Sequence, residues 1–184
     1  AHDGSGNGND GTLVNGPTWV DGVVGKCLSF GVDEYVRIPH SASITFGTGD
    51  FSISVWAYLD SASEDYGRIA GKKGIAAAQA GYAIYWRPSL NKLLWSTANG
   101  SSAVEIYTYS TISPGLHHIV MVRESAGDLR GYFYIDGVLY PLASNPAIVD
   151  VSNTDDFYIG SLGTSLSFVN KIDEPRIYNR AITA

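Results

Sequence analysis

Apolar residues recur at every second position along most of this chain, the periodicity of a half-buried strand rather than a helix. The runs KCLSF, EYVRIP, FSISVWAYL, GYAIYWRP, KLLWST, VEIYTYST, HHIVMVRE, RGYFYIDGVLY, DFYIGS and KIDEPRIY all carry it. Between them lie GTGD, RPSLNK, TANGSS, ISPG, SAGD and NTDD, rich in residues that turn a chain. In YIDGVLY the pair Asp136-Gly137 separates two such runs, a strong short-range hairpin signal. The stretch Gly74–Gly81, GIAAAQAG, reads as a loop, and so does the polar, glycine-rich AHDGSGNGND at the start. Many short strands with regular turns predict an all-β fold, a two-sheet antiparallel β-sandwich of jelly-roll type. At 184 residues, one domain spanning 1–184 buries a sizeable core without staples.

Charge narrows the partners. The net charge is −6 and no cluster of Lys or Arg occurs. That argues against a nucleic-acid partner, because affinity for a phosphate backbone rests on basic contacts. No apolar run approaches the roughly 20 residues of a membrane-crossing helix, so no membrane span is expected. Cys27 is the only cysteine and lies in an apolar strand pattern, where a small buried thiol is expected. With 21 glycines, 12% aromatic and only 16% charged residues, the composition is that of a loop-rich binding module more than of a helical enzyme.

The order of the runs resembles a laminin-G-like domain of the concanavalin A-like lectin/glucanase superfamily. The stretches that carry the resemblance are SGNGNDGTLVNGPTWVDGVVGKCLSFGVDEYVRIP, GDFSISVWAYL, GLHHIVMVRE, GYFYIDGVLY, FYIGS and KIDEPRIYNRAIT, in order over almost the whole chain. The resemblance implies a module of a larger extracellular, cell-surface or virion protein. It fits the fold better than any one function, because this architecture hosts sugar binding, adhesion and catalysis alike. Three departures stand out. Members usually begin with a further strand before DGSGNGNDG, the usual FDG is here Phe30-Gly31, and the usual Trp before the histidine pair is Leu116. A neighbouring chain that supplied the missing strand would pair with an open sheet edge.

An Asp-Glu pair occurs twice, as Asp33-Glu34 and as Asp173-Glu174. The second sits in a strand-like run, where a buried carboxylate must be paired, hydrogen-bonded or metal-bound. Simple alternation puts Asp173, Pro175 and Ile177 on one face and Glu174, Arg176 and Tyr178 on the other. Pro175 cannot donate to a ladder, so it must face an edge, a bulge or a gap. Resemblance to β-glucanases of the superfamily implies a structural Ca²⁺ on a last-strand Asp, here Asp173, with Asp33 and the Gly25 carbonyl as helpers. The alternative is that Asp173 caps backbone N–H groups or pairs with Arg37 or Arg176. Asp3, Ser5 and Asn7 mimic the start of an EF-hand loop, but Val14 stands where a bidentate Glu is required, so a glycine-rich turn is expected. His117 and His118 are adjacent in a strand and point to opposite faces, so they cannot share one metal.

For hydrolysis of a glycosidic bond two carboxylates must flank the bond. GYAIYWRP, KLLWST and VEIYTYST hold a single acid, Glu105, and no nucleophile elbow occurs. A non-catalytic module is therefore expected. Its candidate ligand-binding residues are Tyr85, Trp86, Arg87, Trp95, Tyr107 and Tyr109, because aromatic rings stack on the C–H faces of sugars while polar handles meet the hydroxyls. Trp19 and Trp56 are expected in the core. The reading is a carbohydrate-binding or adhesive module whose partner is a glycan or a surface protein. The alternatives are a structural assembly protein of a capsid, fibre or surface layer, and a degenerate glycoside hydrolase.

Overall fold

A computed structural model of the protein describes residues 1–74, 76–126, 128–163 and 165–182. The alternating runs form strands, in chain order β1 (Thr12–Val14), β2 (Thr18–Asp21), β3 (Lys26–Phe30), β4 (Tyr35–Ile38), β5 (Phe51–Leu59), β6 (Gly67–Lys72) and β7 (Gly81–Arg87). They continue with β8 (Lys92–Ala98), β9 (Ala103–Tyr107), β10 (Gly115–Arg123), β11 (Gly131–Ile135), β12 (Val138–Pro141), β13 (Phe157–Ile159) and β14 (Asn170–Tyr178). The one other element described is a 3₁₀ turn, Ala42–Ile44, capped by the Ser41 side chain.

Two seven-stranded sheets result. Sheet A has the order β1-β4-β13-β6-β7-β8-β9 and sheet B the order β12-β11-β10-β5-β14-β3-β2. Every pairing is antiparallel. This is the predicted sandwich, and the last strand lies beside β3.

Alternation explains the core. Phe51, Ile53, Val55, Ala57 and Leu59 of β5 and Ile119 and Met121 of β10 face inward, against Tyr82, Ile84, Trp86, Leu93 and Trp95 of sheet A, all fully buried. Two polar groups of these core aromatics are tied down. The Tyr82 hydroxyl donates to the Ile44 carbonyl at 2.9 Å, and the Trp86 indole to the Asp60 carbonyl at 2.7 Å. Arg123 lies over the Phe51 ring and donates to the carbonyls of Gly47, Gly49 and Val149, latching two loops to the end of β10. Its burial pulls the guanidinium pKa down to about 10.

Three strands carry no alternation that sequence could reveal. β1 and β2 are short, and every residue of GRIAGK in β6 is buried on both faces. Gly71 in β6 is required by close approach, since a Cβ there would meet the Ala83 Cβ at 2.4 Å. Residue 75 of the predicted Gly74–Gly81 loop lies outside the described residues; residues 76–80 form turns and bends before β7 begins at Gly81.

The sandwich opens beside β14. β14 pairs with β3 only over Asn170–Ile172, whereas its pairing with β5 runs on to Tyr178. Beside the free stretch lies a cleft of about 730 Å³ between the sheets, walled by Leu28, Phe30, Val36, Ile38, Phe157 and Ile177 and covered by the segment from Ala1 to Asn9.

Candidate functional site

The predicted site residues do not form one surface. Trp86 and Trp95 are fully buried in the core and Tyr85 is buried on the outer side of sheet A, so none presents a ring to a ligand. The reason is parity: Trp86 shares a face with Tyr82 and Ile84, and Trp95 with Leu93, and those faces meet sheet B. Arg87 and Tyr107 do lie together on the outer face of sheet A, but they satisfy each other. Arg87 donates to the Tyr107 hydroxyl at 2.7 Å and to Asp65 at 3.1 Å, and its guanidinium lies over the Tyr66 ring, 4.8 Å from the centroid. The Tyr107 and Asp65 hydrogen bonds raise the Arg87 pKa, and the Ser89 hydroxyl lowers that of Asp65. Tyr109 is 70% exposed beyond the end of β9, separate from this cluster.

The three groups named for calcium do not converge. The Asp173 Oδ2 accepts the Val23 N–H at 2.6 Å and the Val24 N–H at 3.2 Å, and it lies against Gly22. The Gly25 carbonyl accepts the Gly22 N–H at 3.0 Å within that same β2–β3 turn. Asp33 follows the far end of β3, roughly 15 Å of extended chain away, where its N–H donates to Ser167 Oγ. Among the described residues no three His, Cys, Asp or Glu side chains gather to hold a metal. The arrangement fits a carboxylate that ties off a turn, not a Ca²⁺ cage of six or more oxygens. Neither arginine proposed as a partner pairs with Asp173: Arg37 bonds Asp156 and Arg176 bonds Glu174. The N-terminal loop is likewise closed on itself, with Asp3 accepting from Ser5 and Asn9.

The open concave surface is on the other sheet. On the outer face of sheet B, Ser54 and Trp56 of β5 form the floor of a groove of about 320 Å³. His118, Val120 and Tyr134 make one wall, Glu174, Arg176 and Tyr178 the other, and Val24 and Ile182 close the ends. The His118 ring is tilted against Trp56 with centroids 5.0 Å apart and its Nε2 is 2.9 Å from Ser54 Oγ. Behind it, Asp136 accepts the His118 N–H at 2.9 Å and faces His117 Nδ1 at 2.7 Å. Burial pushes the Asp136 carboxyl up, but the His117 and His118 bonds outweigh it and hold the pKa below the usual range.

The second wall is built by a bulge. Asp173 faces Trp56 and Arg176 faces Ser54, so β14 takes three steps where β5 takes two. This shift breaks the expected alternation and turns Asp173, Arg176 and Tyr178 to the same outer face. Pro175, with no N–H to give, sits in the bulge, and Glu174 adopts φ 48°. Glu174 is half-buried and accepts from Arg176 at 2.5 Å.

Trp56 is half-buried in this groove rather than in the core, and Trp19 is 54% exposed on the edge strand β2. The signal for Trp56 was present in FSISVWAYL, where it shares parity with Ser52 and Ser54 and not with Phe51, Ile53 and Val55.

Known proteins share this architecture. The binding domain of Paraclostridial Mosquitocidal Protein 1 superposes with a TM-score of 0.76 at 20% identity, over 99% of this chain and 47% of that one. Domain 4 of an extracellular arabinanase from Geobacillus stearothermophilus, solved with arabinotriose, gives 0.67 at 20% identity, over 95% of this chain and 78% of that one. A structure of botulinum neurotoxin type C, a toxin whose cell entry depends on two ganglioside molecules, gives 0.71 at 15% identity, over 98% and 45%. The chain thus spans under half the length of the toxin chains it matches. No curated protein sequence matches it. A family model described as the Concanavalin A-like lectin/glucanases superfamily matches residues 30–184. The chain belongs to that family, in its laminin-G-like branch.

Proposed function

We propose that the protein is a non-catalytic carbohydrate-binding module and that the sheet B groove around Trp56 is its binding site. The observation that carries this reading is Trp56 itself, a large aromatic ring on the floor of an open groove with donors and acceptors on both walls. Such a ring takes the C–H face of a sugar while Ser54, His118, Glu174 and Arg176 meet its hydroxyls. The similar arabinanase domain was solved with a neutral sugar, arabinotriose, which favours a glycan over other ligands. The groove holds one carboxylate, Glu174, already paired with Arg176, so the two-carboxylate arrangement of a glycosidase is missing from it. A glycan-binding module of this kind acts outside the cell, on a cell surface or on a virion. Among the described residues no helix is long and apolar enough to cross a membrane.

A titration with arabinotriose and with an array of immobilised glycans tests the reading. Trp56→Ala is expected to weaken the retained glycan by about tenfold or more, while Arg87→Ala, on the opposite sheet, binds like the parent. Retention unaffected by Trp56→Ala would move the site elsewhere.

The cleft beside β14 favours a second reading, in which a neighbouring chain contributes an extended strand. The free edge of β14 supplies the hydrogen bonds and the apolar walls take alternate side chains. Light scattering then shows assembly that grows with concentration and is lost in Ile177→Lys. A protein that stays monomeric at every concentration rules this out.

A further inference from the structure

Resting on the groove as a glycan site, we infer that its ligand is an uncharged sugar bearing a vicinal pair of hydroxyls, and not a carboxylate-bearing or sulfated one. The first ground is charge. The groove lining contains one acid and one base with lasting charge, Glu174 and Arg176, and they neutralise each other at 2.5 Å. Just outside the lining stand two more carboxylates, Asp173 behind the Trp56 end and Asp136 behind His118. An anionic sugar would have to take Arg176 from Glu174 while facing these carboxylates, on a protein of net charge −6.

The second ground is geometry. The bulge aims both members of the ion pair into the groove beside Trp56, with Glu174 held at a positive φ that non-glycine residues adopt rarely. Pairing through Arg176 Nη2 and Glu174 Oε2 leaves the other carboxylate oxygen to accept one hydroxyl hydrogen bond, and the guanidinium N–H groups not turned to Glu174 or Tyr178 to donate to the next oxygen. A side-by-side acceptor and donor of this kind complements two adjacent hydroxyls on one sugar ring, with the ring's apolar face on Trp56. The pair stays intact on binding, so no buried charge is left without a partner.

The test uses matched neutral and sialylated or uronic oligosaccharides on the same array, at low and at high salt. The expected result is that neutral glycans are retained, that an added acidic residue on the bound sugar weakens retention, and that salt changes affinity less than about twofold. Glu174→Gln is expected to weaken neutral glycans by about tenfold or more with the melting temperature unchanged. Preference for acidic glycans that depends on Trp56 and fades with salt overturns this inference and leaves the groove standing as the site. Retention of no glycan of either class overturns both.

Discussion

Asp173 shows how a single buried carboxylate can be explained without a metal. It is only 4% exposed, yet two N–H groups of the β2–β3 turn point at one of its oxygens. Charge-assisted bonds of this kind stabilise by about 1.5–3 kcal/mol each when one partner is ionised. Asp173→Ala is therefore expected to lower the unfolding free energy by about 2 kcal/mol, measured by chemical denaturation, while excess Ca²⁺ or EDTA leaves the parent's melting temperature unchanged. A rise in melting temperature with Ca²⁺ would restore the metal. At this scale the sequence was partly legible. Burial of a last-strand carboxylate was visible in KIDEPRIY, but which groups meet it was not, because Val23 and Val24 are 150 and 149 residues away along the chain. The aromatic residues were misassigned for a related reason. Trp86 and Trp95 belong to apolar stripes, whereas Trp56 lies on the serine stripe of β5, and side-chain parity separates the two cases where residue type does not.

Among the elements, long strands with clean alternation were readable to within a residue or two, as in KCLSF for β3 and FSISVWAYL for β5. β6 was hidden because a strand buried on both faces has no polar stripe. The bulge in β14 was half visible: Pro175 announced an interruption, but the resulting turn of Asp173 and Arg176 to one face requires the register with β5. The predicted hairpin is present, with Asp136 at φ 53° and Gly137 at φ 79°, joining β11 to β12. No atom lies within 4 Å of a Cβ built on Gly137, so a substitution there feels only the backbone. Gly137→Ala is expected to destabilise by about 1 kcal/mol, seen as a lower denaturation midpoint with an unchanged slope. An unchanged midpoint would mean that the turn relaxes to another type. Gly137 also borders the groove, so this hairpin fixes the wall that carries His118 and Tyr134.

For the whole molecule, the two sheets have different outer faces. The outer face of sheet A is packed down over Tyr85 and Leu94, with Arg68 buried so fully that desolvation lowers its pKa. The outer face of sheet B is concave, aromatic and open at its centre. That asymmetry is why the proposed binding role falls on sheet B, and it arises from one extra residue in the last strand together with a tryptophan on the polar stripe of β5. The central claim is that this face, and not the Arg87–Tyr107 cluster, takes the glycan. A ¹H–¹⁵N NMR titration with a retained neutral oligosaccharide tests it most directly. The account predicts that the Trp56 indole signal and the backbone signals of Ser54, His118 and Arg176 shift together and saturate, while the Trp86 and Trp95 indoles stay in place. Shifts centred on Tyr66, Arg87 and Tyr107, with Trp56 unmoved, would contradict it.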